Sequence, residues 1–220
     1  MDEGGLAELL KTAFVNGDDA SAEALLAVGP SAVTVFHDWR TQTIRLELPK
    51  TPDPRWLFDH MSYVSGRLGA RFPEEYAQLF ADSRWIEDTF VLVGLGYTRR
   101  AEAEAILIEA LFSGASEFTR LSAASSLRHF PTPEANKALL GALDDPDYLV
   151  QYHAIRSLGA VGGREALERL LQLAADPPGR AAAHVVPSAI RSIADRLGLE
   201  VEMPTSEKWP HLEIRLSLDD

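Results

Sequence analysis

A short stretch of text recurs along the second half of the chain, and its spacing limits the fold more than any other feature. Ala154-Ile155-Arg156-Ser157-Leu158 reappears as Ala189-Ile190-Arg191-Ser192-Ile193, 35 residues later, and Ala123-Ala124-Ser125-Ser126-Leu127 matches it 31 residues earlier. Val91 to Leu95 forms a weaker fourth copy, 32 residues before that. Self-similarity at such a period marks an array in which each unit is one supersecondary element that cannot bury its apolar face alone.

Each copy reads as a helical hairpin. In the clearest, Asp145 precedes Pro146 as an N-cap precedes a first-turn proline, and Val150, Ala154 and Leu158 recur on one helical face. Gly159 then stands where a left-handed C-terminal residue is expected, and Gly162-Gly163 makes the turn. The second helix, over 164–175, carries Leu167, Leu170, Leu171 and Ala174 at core spacing before Asp176-Pro177-Pro178 stops it. The same plan predicts first helices over 84–95 and 117–129 and second helices over 100–112 and 133–143. Pro187 is expected to kink or divide the last first-helix.

Residues 1–81 form a less regular helical region, either diverged repeats or a cap, with helices expected over 6–14, 20–28, 31–39, 55–68 and 74–80. Thr43-Ile44-Arg45-Leu46-Glu47-Leu48 and Glu213-Ile214-Arg215-Leu216-Ser217-Leu218 alternate apolar and polar residues with period 2. That pattern predicts short strands over 43–48 and 213–218. The second of these lies in a C-terminal tail, 199–220.

The chemistry open to the chain is narrow. With no cysteine there is no thiolate nucleophile, thiolate metal site or disulfide. The apolar runs fall far short of the roughly 20 residues that cross a bilayer. An acidic start, Met1-Asp2-Glu3, is unlike a secretory leader, which points to the cytoplasm. The net charge of −12 opposes nucleic-acid binding and leads to no expectation of a basic groove, while it suits a basic partner. Residues 1–110 carry 10 basic and 18 acidic side chains, whereas 111–199 carry 9 of each.

No two of the histidines share the i, i+3 or i+4 spacing of helical metal ligands, and His60, beside Asp59, is the nearest approach to an acid–base group. Asp144, Asp145 and Asp147 crowd one turn, but without the glycine and distal glutamate of a calcium loop. Gly94, Gly96 and Gly159 read as helix ends, with no Gly-Lys-Ser/Thr beside them, and Gly-x-Ser-x-Gly is absent. No cofactor or metal is expected, and no catalytic constellation emerges. Two rows remain as protein-binding candidates. Arg156 and Arg191 hold equivalent places in two copies, which predicts that they project in register; the plain alternative is a solvated ion-pairing position. Glu102, Glu134 and Glu165 recur at 32 and 31 residues at the starts of second helices. They serve either the helix dipole alone or, stacked, as an acidic ladder for a basic partner.

The hairpins over 82–198, above all Asp145 to Gly159, resemble the HEAT-repeat family in the short bacterial form also seen in phycobilin lyase subunits. The chain departs from the usual Val-Arg pair at Val150-Gln151, while Thr119-Arg120 keeps the arginine. The resemblance implies an all-α, right-handed α-solenoid and a non-catalytic protein–protein interaction module, an adaptor or scaffold. Its acidity adds the alternative of an inhibitor that neutralises a basic protein, and the repeat subtype adds a bilin lyase-like subunit.

Overall fold

The computed structural model describes residues 2–49, 54–175 and 180–201. Twelve α-helices occupy them: α1 (Glu3–Asn16), α2 (Asp19–Leu26), α3 (Ser31–Arg40), α4 (Pro54–Arg71), α5 (Pro73–Phe80), α6 (Thr89–Thr98), α7 (Ala101–Ser113), α8 (Glu117–Ser126), α9 (Pro133–Gly141), α10 (Tyr148–Val161), α11 (Arg164–Ala175) and α12 (Arg180–Leu197). No strand occurs among the described residues, which are all-α. None of these helices is long and apolar enough to cross a membrane. Two compact units divide inside α7, Met1–Ile106 and Leu107–Asp220.

The first unit is built on an aromatic core. Phe36 lies with its ring 5.7 Å from Phe80 and 6.1 Å from Tyr76, and Tyr76 stands 4.6 Å from Phe80. All three are fully buried, and each aromatic side chain removes on the order of 150–250 Å² from water. Ser65 donates to the Phe90 carbonyl at 2.6 Å, which leaves its oxygen to accept from the buried Tyr76 hydroxyl at 2.6 Å. Burial pushes that phenol well above its ordinary pKa. The glycines expected to end helices sit inside α6 instead. A Cβ on Gly94 would run into the Tyr76 ring, and one on Gly69 of α4 into the Gly94 carbonyl, so absent side chains let α4 and α6 touch backbone to backbone.

The strand expected over 43–48 does not form. Ile44, Leu46 and Leu48 are half-buried and Arg45 and Glu47 exposed, so the alternation appears in the burial. The described residues offer no second strand to complete a ladder, and the segment is a non-regular connection after α3. The matching segment 213–218 lies outside the described residues.

In the second unit α10 packs between α8 and α12, and α11 packs against α12 and α9. Ser116 caps α8 by accepting the Thr119 amide at 3.1 Å, and Thr132, before Pro133, caps α9 by accepting the Ala135 amide at 3.1 Å. The cap of α10 is Asp147, which accepts from Leu149 at 2.8 Å and Val150 at 3.3 Å, and not Asp145 as the Asp-Pro text suggests. Asp145 is engaged elsewhere. The Arg120 fork donates to its two oxygens, Nε at 2.8 Å and Nη2 at 3.2 Å, and the Asp147 amide donates to it at 2.8 Å. Gly159 does not end α10, which runs on to Val161. A Cβ there would stand 3.1 Å from the Ala189 Cα, so the glycine serves the approach of α12. Pro187 lies buried within α12, which continues through it as one helix.

Candidate functional site

The first helices of the second unit bring one side of their repeating text together. Ser125 of α8, Arg156 and Ser157 of α10, and Ser192 of α12 all come from the recurring quintets, and they line a groove of about 630 Å³. Arg128 and His129, from the 3-10 turn after α8, His153 and Ala160 of α10, and Ser188 and Arg196 of α12 also line it. The size falls within the range of roughly 300–1,000 Å³ in which proteins hold small ligands.

Its charge is one-sided. Three arginines face it, and no carboxylate appears among its described lining residues, in a chain with 33 acidic and 21 basic side chains. Arg128 and Arg156 form no ion pair among the described residues. Arg156 lies over the Tyr152 ring, with its guanidinium carbon 5.7 Å from the ring centroid. Arg196 is fixed by donating to the Gly159 carbonyl at 2.9 Å and to that of Gly162. Partial burial, reinforced by the fields of Arg156 and Arg128, holds His153 below the usual imidazole pKa.

The serines contribute less than their number suggests. Ser157 donates to the Ala124 carbonyl at 2.7 Å, Ser188 to Val185 at 2.9 Å and Ser192 to the Ser188 carbonyl at 2.9 Å. Each hydroxyl proton is thereby committed to backbone, so donation into the groove falls mainly to the guanidinium groups.

Of the residues proposed from the sequence as binding candidates, only Arg156 is among the described lining residues of this groove. Arg191, its repeat equivalent, is exposed on α12 and is not among the lining residues. Arg128 and Arg196 escape the quintet register, because Arg128 follows Leu127 directly and Arg196 stands three residues beyond Ile193. The balanced charge of residues 111–199 also concealed the groove: no carboxylate is among its described lining residues, and three of those in this stretch are engaged elsewhere, so a neutral total holds a basic patch. Asp145 pairs with Arg120, Asp144 with Arg169 at 3.1 Å, and Asp147 caps α10. The groove thus corrects the expectation drawn from net charge that no basic groove exists.

Glu102, Glu134 and Glu165 each lie exposed in the first turn of α7, α9 and α11 respectively. In the first unit Arg100 stands 3.6 Å from Glu102, whose pKa is lowered by a hydrogen bond from its own amide and then by that arginine. In the second unit Glu165 neighbours Glu168 and Arg169 along a shallow depression. His60 has a structural place: Nδ1 is 3.0 Å from the Phe14 carbonyl, and its ring lies 4.4 Å from Trp56 and covers Gly17. No cluster of metal-ligating side chains occurs among the described residues.

Residues 104–191 match the family model for HEAT repeats. No curated protein matches the chain.

Proposed function

Since residues 104–191 match the model of the HEAT-repeat family, whose members generally serve as protein-interaction scaffolds and are typically non-enzymatic, we propose that this chain is a non-catalytic adaptor that holds a segment of a partner protein in the groove of α8, α10 and α12. The observation that carries this reading is that three successive first helices together line one groove, since stacked repeats make extended binding surfaces by such repetition. Ala160 is exposed on its wall, so Ala160→Trp should fill the groove and leave the core untouched. With a partner identified by affinity capture, this variant is expected to lose the partner while keeping its helical circular dichroism and melting temperature. Retention of the partner by a folded Ala160→Trp protein would refute the groove as the contact.

A second reading rests on the acidic row. Glu134 and Glu165 lie on second helices, which do not line the groove, so a basic partner has a separate surface open to it. In that case Ala160→Trp leaves binding intact and changes at the glutamates do not.

A further inference from the structure

We infer that the groove of the second unit is a receptor for a phosphate monoester carried on a protein segment, with the guanidinium groups of Arg128 and Arg156 as its two clasps and Arg196 as a fixed third cation. The inference rests on the groove being the partner site, and it specifies the chemistry of what enters.

Three features point to phosphate. The first is uncompensated charge: three arginines converge on one cavity whose described lining residues include no carboxylate. Side chains that need only solubility would be served by the ion pairs that the chain makes elsewhere, as at Arg169 and Asp144. The second is the donor type. Most of the hydroxyl protons are spent on backbone carbonyls, so the charged donors that dominate the groove are planar N–H forks, which match the oxygen pairs of a tetrahedral dianion. One fork saturates a carboxylate, whereas a phosphate monoester keeps oxygens for a second and a third. The third is preorganisation. Arg196 is held by two carbonyls and Arg156 lies against Tyr152, so less side-chain freedom is lost on binding than for arginines in open solvent.

The charge of the whole chain selects the carrier. A nucleic acid offers a run of phosphates and requires a long basic footprint, which a net charge of −12 opposes. A single phosphorylated side chain asks only for the local cluster, which is how arginine clusters recognise phosphorylated motifs in general.

The experiment uses the full chain, immobilised and presented with three peptide libraries of random flanks and a central phosphoserine, serine or glutamate. Phosphoserine peptides are expected to be retained about tenfold or more over both others, as expected where charge-assisted hydrogen bonds are gained. The variant Arg128→Gln/Arg156→Gln should reduce retention to the serine level; both side chains are exposed, and circular dichroism verifies the fold. Equal retention of serine or glutamate peptides overturns the inference, as does binding that survives the double variant. Preferential binding of a short single-stranded oligonucleotide, or of phosphoinositide vesicles, also overturns it. Should Ala160→Trp abolish binding of the captured partner while phosphatase treatment of that partner changes nothing, the groove stands and the phosphate chemistry falls.

Discussion

Arg120 and Asp145 show how one pair of side chains can join two repeats. Their contact is a two-point fork, and both partners are largely shielded, at 17% and 10% exposure. A pair this buried costs more to break than its net formation is worth, because the remaining charge loses solvent and partner together. Arg120→Met is therefore expected to lower unfolding stability by about 1–3 kcal/mol, and Arg120→Met/Asp145→Asn to recover part of that loss. A double-mutant cycle in denaturant checks this, and strict additivity would show that the two residues do not interact. The first unit repeats the device: Arg40 donates from Nε to Asp88 at 2.6 Å while Asp88 caps α6. His153 offers a second residue-scale test. Its folded pKa lies below the ordinary value of about 6.5, so as pH falls through that value the unfolded chain binds the proton first. The native state is disfavoured over the window from about pH 6.5 downward, and the effect vanishes at higher pH. The groups facing the ring include Arg156 on its own helix and Arg128 after α8. Relative to the parent, His153→Gln should show a shallower loss of melting temperature between neutral and mildly acidic buffer, and an unchanged slope would remove the assignment.

At the scale of elements, glycines decide how closely helices approach. Adding a methyl at Gly159 brings two opposed effects: helix propensity improves by about 1 kcal/mol, while the new Cβ meets the Ala189 Cα at 3.1 Å. Gly159→Val adds bulk without the propensity of alanine and is expected to cost about 1–3 kcal/mol by overpacking. Gly69→Ala should be worse than Gly159→Ala, because its Cβ would run into the Gly94 carbonyl oxygen, a far harder backbone clash than the 3.1 Å at Gly159. Thermal melts of the three variants check the ranking. Much of this level was legible in the sequence. The helices expected over 6–14, 20–28, 31–39, 55–68 and 74–80 correspond to α1–α5, because apolar periodicity and caps are local signals. The use of Gly94 and Gly159 inside helices was not legible, since a glycine at a helix end and one at a helix crossing read alike until the partner helix is known. The strand expected over 43–48 failed for a related reason: alternation reports half-burial, and a ladder also needs a neighbour. At the starts of α9 and α11 in the second unit, Glu134→Gln/Glu165→Gln separates two roles. Service to the helix dipole predicts a modest fall in melting temperature with partner affinity unchanged. An acidic ladder predicts weaker, less salt-sensitive binding.

For the molecule as a whole, the decisive quantity is the contrast between a net charge of −12 and a groove with three arginines. Composition could not reveal it, because a total does not record which charges are already paired. What the sequence did offer was Arg156, reached through the repeat; its companions Arg128 and Arg196 enter only when α8, α10 and α12 are packed side by side. The two fields act at different ranges, and salt separates them. At about 10 mM ionic strength charges interact over roughly 30 Å, so an anionic ligand approaching from solution meets the net negative field before it meets the groove. At about 150 mM the reach shrinks to about 8 Å, which suppresses that repulsion while contacts inside the groove retain part of their attraction. An anionic ligand should therefore associate faster as salt is raised from the low range toward physiological strength, and it should also dissociate faster as the arginine contacts weaken. A basic partner on the glutamates follows the opposite course in the first of these, with association slowing steadily as salt screens its steering. Stopped-flow association rates at several salt concentrations distinguish the two surfaces without any mutation. An association rate that falls monotonically with salt would place the physiological contact on the acidic surface and leave the groove without its ligand.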